Sequence, residues 1–361
     1  MHLAEILNWR SVPAAGISMG LTRRCPLHCA HCSTQSSMTS EQHPEQLFVR
    51  FVASFSYENR PVILAMSGGE ALLRPRLVSA LAKSARRCGT TSSVLSGLFF
   101  ARTHDGMKIP APIRVAIDAV DHFSVSLDAF HEAEVPWPNV RRVLRTLLDG
   151  GKDLSIHLVG RDADDPYLTT RIAAVRRHFG TRIPMLVNQV ASFGRARAWT
   201  PMVMTKRPAR VEAQPCTMAA WPVMGFDGRI VACGNDDAMD RMPGHLVLGH
   251  ASTHTWAQIR ERTLESSMMR AIRLYGPDYL AARAEMHPSG CAAGCRACMA
   301  MSGDALVEER VRASIAISMQ KQSTRVLEAA AGELIRQGGA LAFARRNGVA
   351  RYADLALLGA T

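Results

Sequence analysis

The sequence predicts an α/β fold on a parallel sheet, and three observations carry that prediction. Short apolar runs alternate with helical patterns through about the first two hundred residues. The runs are apolar almost throughout, as expected of strands covered on both faces. Each of the first four is followed by a glycine-marked or polar stretch, and in parallel α/β folds the C-terminal strand ends carry the chemistry. Six βα repeats imply right-handed crossovers and a sheet that curls into a partial barrel or stays open.

In chain order, strands are expected over residues 16–21, 61–66, 92–95, 122–127, 154–159 and 184–190. Helices are expected between them, over 44–54, 74–87, 113–120, 140–148 and 168–178. Gly68-Gly69, Gly150-Gly151 and Asp164-Asp165-Pro166 punctuate the joins. Past about residue 200 the alternation stops. Asp227-Gly228 between apolar runs is a strong hairpin signal, and a long helical stretch follows over about 255–285. From about residue 305 the chain reads as two or three helices. The expected organisation is a barrel unit at 1–205, a small hairpin and helix unit at 206–304 and a helical tail at 305–361.

Composition narrows the function classes. The chain has 361 residues, 47% hydrophobic and 20% charged, which describes a globular protein with a sizeable core. No apolar run reaches the ~18 residues of a membrane span. The opening MHLAEILNWR does not read as a signal peptide, so a cytoplasmic location is expected. Lys and Arg number 43 against 31 Asp and Glu, a net charge of +12, but the cations form no basic face or aromatic-interleaved patch. A nucleic-acid partner is therefore not expected, whereas docking of an acidic redox protein is.

The nine cysteines fall in two groups, Cys25, Cys29 and Cys32 near the start and Cys216, Cys233, Cys291, Cys295 and Cys298 later, with Cys88 between. An odd count in a reducing compartment argues for metal rather than a disulfide framework. Structural zinc wants four closed ligands, but C-x3-C-x2-C offers three. Three thiolates suit a four-iron cluster with one iron left open for a ligand. A zinc site borrowing His28 or His31 is the alternative. Cys88 lies at the far end of its helix from the strand rim and reads as structural.

Cys25-x3-Cys29-x2-Cys32 resembles the signature of the radical S-adenosylmethionine (radical SAM) enzymes, with His31 where that family usually carries a ring. Four further segments match in order. Gly68-Gly69-Glu70 resembles the family's GGE stretch, where backbone and carboxylate hold the cofactor's ammonium. Ser96-Gly97 stands where Asn-Gly is common, Ser126-Leu127-Asp128 resembles the segment near the cofactor's ribose and sulfonium, and Gly194-Arg195-Ala196 resembles the GRA stretch. The resemblance covers about residues 15–200 and implies a partial (β/α)6 TIM-like barrel.

Hairpin cysteines followed by a helix and C-x2-C resemble the twitch form of the SPASM extension, which implies one auxiliary four-iron cluster. Its ligands would be four of Cys216, Cys233, Cys291, Cys295 and Cys298, with Cys295 and Cys298 preferred and Cys291 either a competing ligand or a free thiol. A zinc ribbon is the alternative there.

The resemblance implies reductive cleavage of S-adenosylmethionine to a 5′-deoxyadenosyl radical that abstracts a substrate hydrogen, with flavodoxin or ferredoxin as electron donor. The commonest task of such relatives is to oxidise, crosslink or epimerise a ribosomally made peptide. Only 24 residues precede Cys25, so a separate peptide-recognition protein or the C-terminal helices would have to present the peptide. A small-molecule dehydrogenase acting on an aminocyclitol or sugar is the alternative enzyme, and a non-catalytic iron–sulfur or zinc module the alternative of another class.

Overall fold

The structure, a computed structural model, describes residues 1–103, 108–200, 211–285, 295–301, 309–310, 313 and 321–360. The expected alternation is present. Strands β1 (Gly16–Gly20), β2 (Ile63–Ser67), β3 (Thr91–Ser96), β4 (His122–Asp128), β5 (Leu154–Gly160) and β6 (Met185–Gln189) pair in parallel, each with its sequence neighbour. The fold is a mixed α/β partial barrel with helices on its outer face.

After α1 (Leu3–Arg10), helices α2 (Glu45–Val52), α3 (Pro75–Arg87), α4 (Ala111–Ala119), α5 (Ala129–Glu132), α6 (Trp137–Asp149) and α7 (Pro166–Phe179) fill the crossovers. Local chemistry sets their ends. Proline occupies the first turn of α3, α4, α6 and α7, where no intrahelical N–H partner is lost. Asp165 caps α7 by accepting from Tyr167 N. Cys88 closes α3, and its thiol donates to Phe55 O at 3.1 Å, the structural role expected of it.

The later strands join the same sheet. β7 (Val223–Met224) pairs in parallel with β1, β8 (Arg229–Val231) forms the expected hairpin with it, and β9 (Val247–His250) adds a third strand. The order is β6-β5-β4-β3-β2-β1-β7-β8-β9, so the second cysteine group hangs from the β1 edge of the barrel sheet. β9 escaped sequence reading because it is four residues long and contains Gly249 at φ +150°.

Beyond β8 lies α8 (Asp236–Arg241), and the stretch read as one long helix is three: α9 (Trp256–Glu265), α10 (Ser267–Tyr275) and α11 (Pro277–Arg283). Ser266 turns extended and caps α10, while Gly276 at φ +76° ahead of Pro277 stops it. α12 (Cys295–Ala300) carries two of the cysteines, and α13 (Lys321–Asn347) kinks at Gly339. Among the described residues no helix is long and apolar enough to cross a membrane.

One continuous core runs from β1 through the barrel to Trp256 and Met301. A second small core joins Leu3 and Leu7 of α1 to Ala340, Phe343 and Ala344 of α13 and to Ala353 and Ala356. Helix α1 was not expected from sequence. It is eight residues long, and its stability comes from a capping box between His2 and Glu5 and from this distant partner. The C-terminal segment also covers the β6 edge, where Val349 N donates to Val187 O at 2.8 Å.

The join between β1 and β7 leaves no room at Gly16. A Cβ there would stand 2.5 Å from the ring of Trp221, which is 1% exposed and anchored by Nε1 to Trp9 O at 2.9 Å. Gly16→Val is expected to cost about 1–3 kcal/mol, read as a lowered thermal midpoint; an unchanged midpoint would show that the ring can swing aside.

Candidate active site and a second cysteine cavity

A cavity of about 320 Å³ opens at the C-terminal ends of the barrel strands. Ten of the eleven residues that the sequence assigned to the first site line it: Cys25, Cys29, His31 and Cys32 from the loop after β1, Gly68, Gly69 and Glu70 after β2, Ser96, Ser126 and Arg195. Asp128, the eleventh, stands behind this wall.

The glycines let two loops touch. At Gly68, φ is +135° and a Cβ would meet Thr22 O at 2.4 Å; at Gly69 a Cβ would meet Arg24 O at 2.4 Å. That closeness lets Gly69 N donate to Thr22 O and Glu70 N to Arg24 O, at 2.7 and 2.9 Å, which locks the cysteine loop to β2.

Glu70 is 1% exposed and its carboxylate is held from three sides. Oε1 accepts from Leu72 N at 3.0 Å, and Oε2 accepts from Ser96 Oγ at 3.1 Å and Gly97 N at 3.0 Å. Burial raises its pKa, opposed by these donors. Ser96 therefore acts on the cavity through Glu70.

Arg195 buckles the cysteine loop. Its Nε donates to Cys29 O and Nη1 to Ser36 O, each at 3.0 Å, its backbone N donates to Cys32 O at 3.0 Å, and Nη2 is buried without a partner. Burial alone would raise the Cys32 thiol, but hydrogen bonds from Thr34 and Ser36 and the Arg195 charge bring it below its ordinary value. Burial pushes the Cys25 thiol up to about 12. Arg195→Ala is expected to free the loop and lower the iron retained by the three thiols after anaerobic reconstitution, with Arg195→Lys intermediate because lysine lacks the fork; equal iron in all three proteins would exclude this role.

Asp128, expected near a ribose, is fully buried and already engaged. Oδ1 accepts from Phe130 N and His131 N at 2.9 Å, and Oδ2 accepts from His131 Nδ1 at 2.7 Å with His31 Nε2 at 3.4 Å. Its burial is outweighed by His131 and His31, so its pKa falls. Burial would also lower His131, but Asp128 reverses this and carries it up to about 10, an imidazolium on the cavity wall. His31 stacks on Phe130 with centroids 4.6 Å apart, and burial lowers its pKa. Sequence reading missed His131; its signal was the i, i+3 spacing from Asp128 across a strand end that becomes a helix start.

A second cavity of about 200 Å³ gathers Cys216, Cys233, Cys295 and Cys298. Cys291 lies outside the described residues. Asn235 N donates to Cys233 Sγ at 3.4 Å, and His245 Nε2 is 3.5 Å from Cys298 Sγ. Burial pushes the Cys233 thiol up to about 12, and Cys298 rises well above its ordinary value by burial and then by Cys233, Cys216 and Cys295. The four sulfurs act on one another electrostatically although α12 is some sixty residues from β8.

Donor chemistry tests what these sites suit. Tetrahedral zinc at bonds of about 2.3 Å brings sulfurs to ~3.8 Å of one another. Among the described residues, the one trio of metal-competent atoms within 4.8 Å of each other is His31, Asp128 and His131, which includes no thiol. Among the described residues neither cysteine set closes to a zinc-sized shell, and thiols are donors that zinc and multi-iron groups share.

Fold and site together define a class: a partial α/β barrel with a three-thiol, glycine-carboxylate cavity on its C-terminal rim, whose loop segments resemble the radical SAM motifs. No family model matches the chain. Over 123 residues it is 33% identical to a PqqA peptide cyclase of Streptomyces rochei, a match covering 31% of this chain and 29% of that protein. The chain thus spans about three tenths of the length of that curated relative.

Solved structures similar in fold include BtrN in complex with AdoMet and 2-DOIA, with 13% identity, 72% of this chain and 85% of that one covered and a TM-score of 0.43. SuiB of Streptococcus suis bound to S-adenosylmethionine gives 11%, 62%, 61% and 0.44 in the same order. For anSMEcpe with bound AdoMet the figures are 11%, 84%, 98% and 0.49.

Proposed function

We propose that this chain is a radical SAM enzyme that modifies a ribosomally synthesised peptide. The observation that carries the reading is the convergence of Cys25, Cys29, Cys32, Gly68, Gly69 and Glu70 on one cavity. Cys25, Cys29 and Cys32 would hold a four-iron cluster, which with S-adenosylmethionine bound would supply reductive cleavage to a 5′-deoxyadenosyl radical.

The chain's own residues do the rest. Glu70 offers a buried anion to the cofactor's ammonium, Arg195 fixes the carbonyl face of the cysteine loop, and the His31 ring walls the site. Cys216, Cys233, Cys295 and Cys298 would hold an auxiliary four-iron cluster that takes the substrate's electron, which suits net oxidation or crosslinking. The peptide class is supported by the PqqA peptide cyclase relative. The net charge of +12 supports an acidic flavodoxin or ferredoxin as donor in a cytoplasmic setting.

The test is anaerobic turnover with S-adenosylmethionine and a reductant. A candidate precursor peptide is expected to raise 5′-deoxyadenosine above background and to lose mass in multiples of one hydrogen pair. A rise with an aminocyclitol and none with any peptide would overturn the peptide reading; no 5′-deoxyadenosine under any condition would overturn the activity.

A further inference from the structure

Helix α1 ends at Arg10, and Arg10 is placed where neither motif nor resemblance puts a functional residue. The helix packs on the turn Thr217–Ala220, which directly follows Cys216. The Arg10 guanidinium stacks over Trp221 at 4.9 Å from the ring centroid, which fixes its plane. Its Nη1 is buried and has no hydrogen-bond partner.

A buried guanidinium with an unused donor is costly unless an anion completes it. Burial lowers the Arg10 pKa to about 10, and the charges that act against this are those of Cys233 and Cys216. A fixed cation, one free N–H and two of the four sulfurs of the second cavity therefore share one electrostatic neighbourhood.

We propose that Arg10 is a positioning residue for the auxiliary iron–sulfur group, tuning its reduction potential upward by setting a permanent positive charge beside Cys216 and Cys233. The inference rests on the reading of the second cavity as an iron–sulfur site. A cubic cluster with four thiolates becomes more negative by one charge when it gains one electron. A cation that cannot deprotonate near neutral pH favours that more negative state. Outer-sphere charge and hydrogen bonds to sulfur are the levers by which a protein sets such potentials. Trp221 supplies the rigidity: without the stacked indole, a side chain with arginine's rotamer freedom would swing to water.

The arrangement also gives α1 a purpose beyond packing. The second core clamps Leu3 and Leu7 against α13, whose end carries Arg346 and Asn347 into the same cavity wall, with Arg346 donating to Pro215 O. Helix α1 thus packs on the helix whose end lines the second cysteine cavity.

The experiment uses the full chain with Cys25, Cys29 and Cys32 replaced by alanine, so that only the second site can hold iron. Reconstituted anaerobically, this parent is titrated with dithionite against redox dyes and followed by electron paramagnetic resonance. If the parent holds no iron, the reading of the second cavity fails and the inference falls with it. If it holds iron, Arg10→Gln is expected to shift the midpoint to more negative values by at least the 59 mV that corresponds to a tenfold change in a one-electron equilibrium. Arg10→Lys, which keeps the charge, is expected to stay near the parent.

An Arg10→Gln midpoint equal to the parent's overturns the inference while leaving the cluster reading intact. Should Arg10→Gln lose its iron, Arg10→Met takes its place under the same expectation. Loss of iron from both neutral variants, with Arg10→Lys loaded at the parent potential, counts for the charge. Loss from all three overturns it in favour of a packing role.

Discussion

The chain with Cys25, Cys29 and Cys32 all replaced by alanine is expected to keep about half of its iron and to make no 5′-deoxyadenosine, since of the two proposed four-iron sites only the auxiliary one would survive. The loss of product should be complete rather than partial, because the three thiols are the whole protein contribution to that iron site. The loss of stability should be small. Cys25 and Cys29 are 8% and 7% exposed and belong to the main core, but each gives up only one sulfur, where that core borders the cavity. Iron and acid-labile sulfide assays, product chromatography and a thermal melt of the metal-free protein read the three parts separately. Zero residual iron would remove the auxiliary cluster from the proposal, and unchanged 5′-deoxyadenosine would remove the radical chemistry.

The two halves of that expectation were unequally legible in the sequence. The barrel was readable because its strands are continuous apolar runs and its helices open on proline or aspartate, signals that act within one element. The first site was readable for the same reason: its ligands lie on loops fixed by consecutive strands, so order along the chain maps onto position on the rim. What stayed hidden depends on contacts between distant segments. Helix α1 is stabilised by α13, more than three hundred residues away. The continuity of the sheet from β1 into β7 rests on a two-residue pairing at Ser18 and Met19 that no local pattern encodes.

Asp128 shows the same limit on a smaller scale. Its place at the end of β4 was legible, but its partner was not. The chain turns into α5 after Asp128, and the first helical turn brings His131 back onto Oδ2. A carboxylate that reads as a ligand for a bound molecule is instead spent on holding an imidazolium in the wall. The i, i+3 pairing is visible only once the residue after the strand is known to be helical.

Substitutions at Glu70 separate its two duties. Glu70→Ala leaves Leu72 N, Ser96 Oγ and Gly97 N without their acceptor, three donors that the structure buries or half-buries. At about 1–3 kcal/mol for an unmet buried group, and with water able to enter the cavity and relieve part of it, a net loss of about 2–4 kcal/mol is expected. Glu70→Gln keeps an acceptor for Leu72 N but turns an amide N–H toward the N–H of Gly97, so about 1 kcal/mol is expected. For the ligand the order differs. Both variants lose the charge proposed to face the ammonium, and a charged hydrogen bond of about 1.5–3 kcal/mol corresponds to roughly tenfold or more in affinity.

Calorimetry of the reconstituted proteins should therefore find both variants similarly impaired in binding S-adenosylmethionine, although their thermal midpoints differ. In the parent, burial raises the Glu70 pKa, and the bound ammonium favours the ionised carboxylate. Affinity should accordingly be full above that raised value and fall as the pH drops through it, while Glu70→Gln should lose that part of the pH dependence. Parent-like affinity in Glu70→Gln would assign the carboxylate to the architecture of the cavity alone.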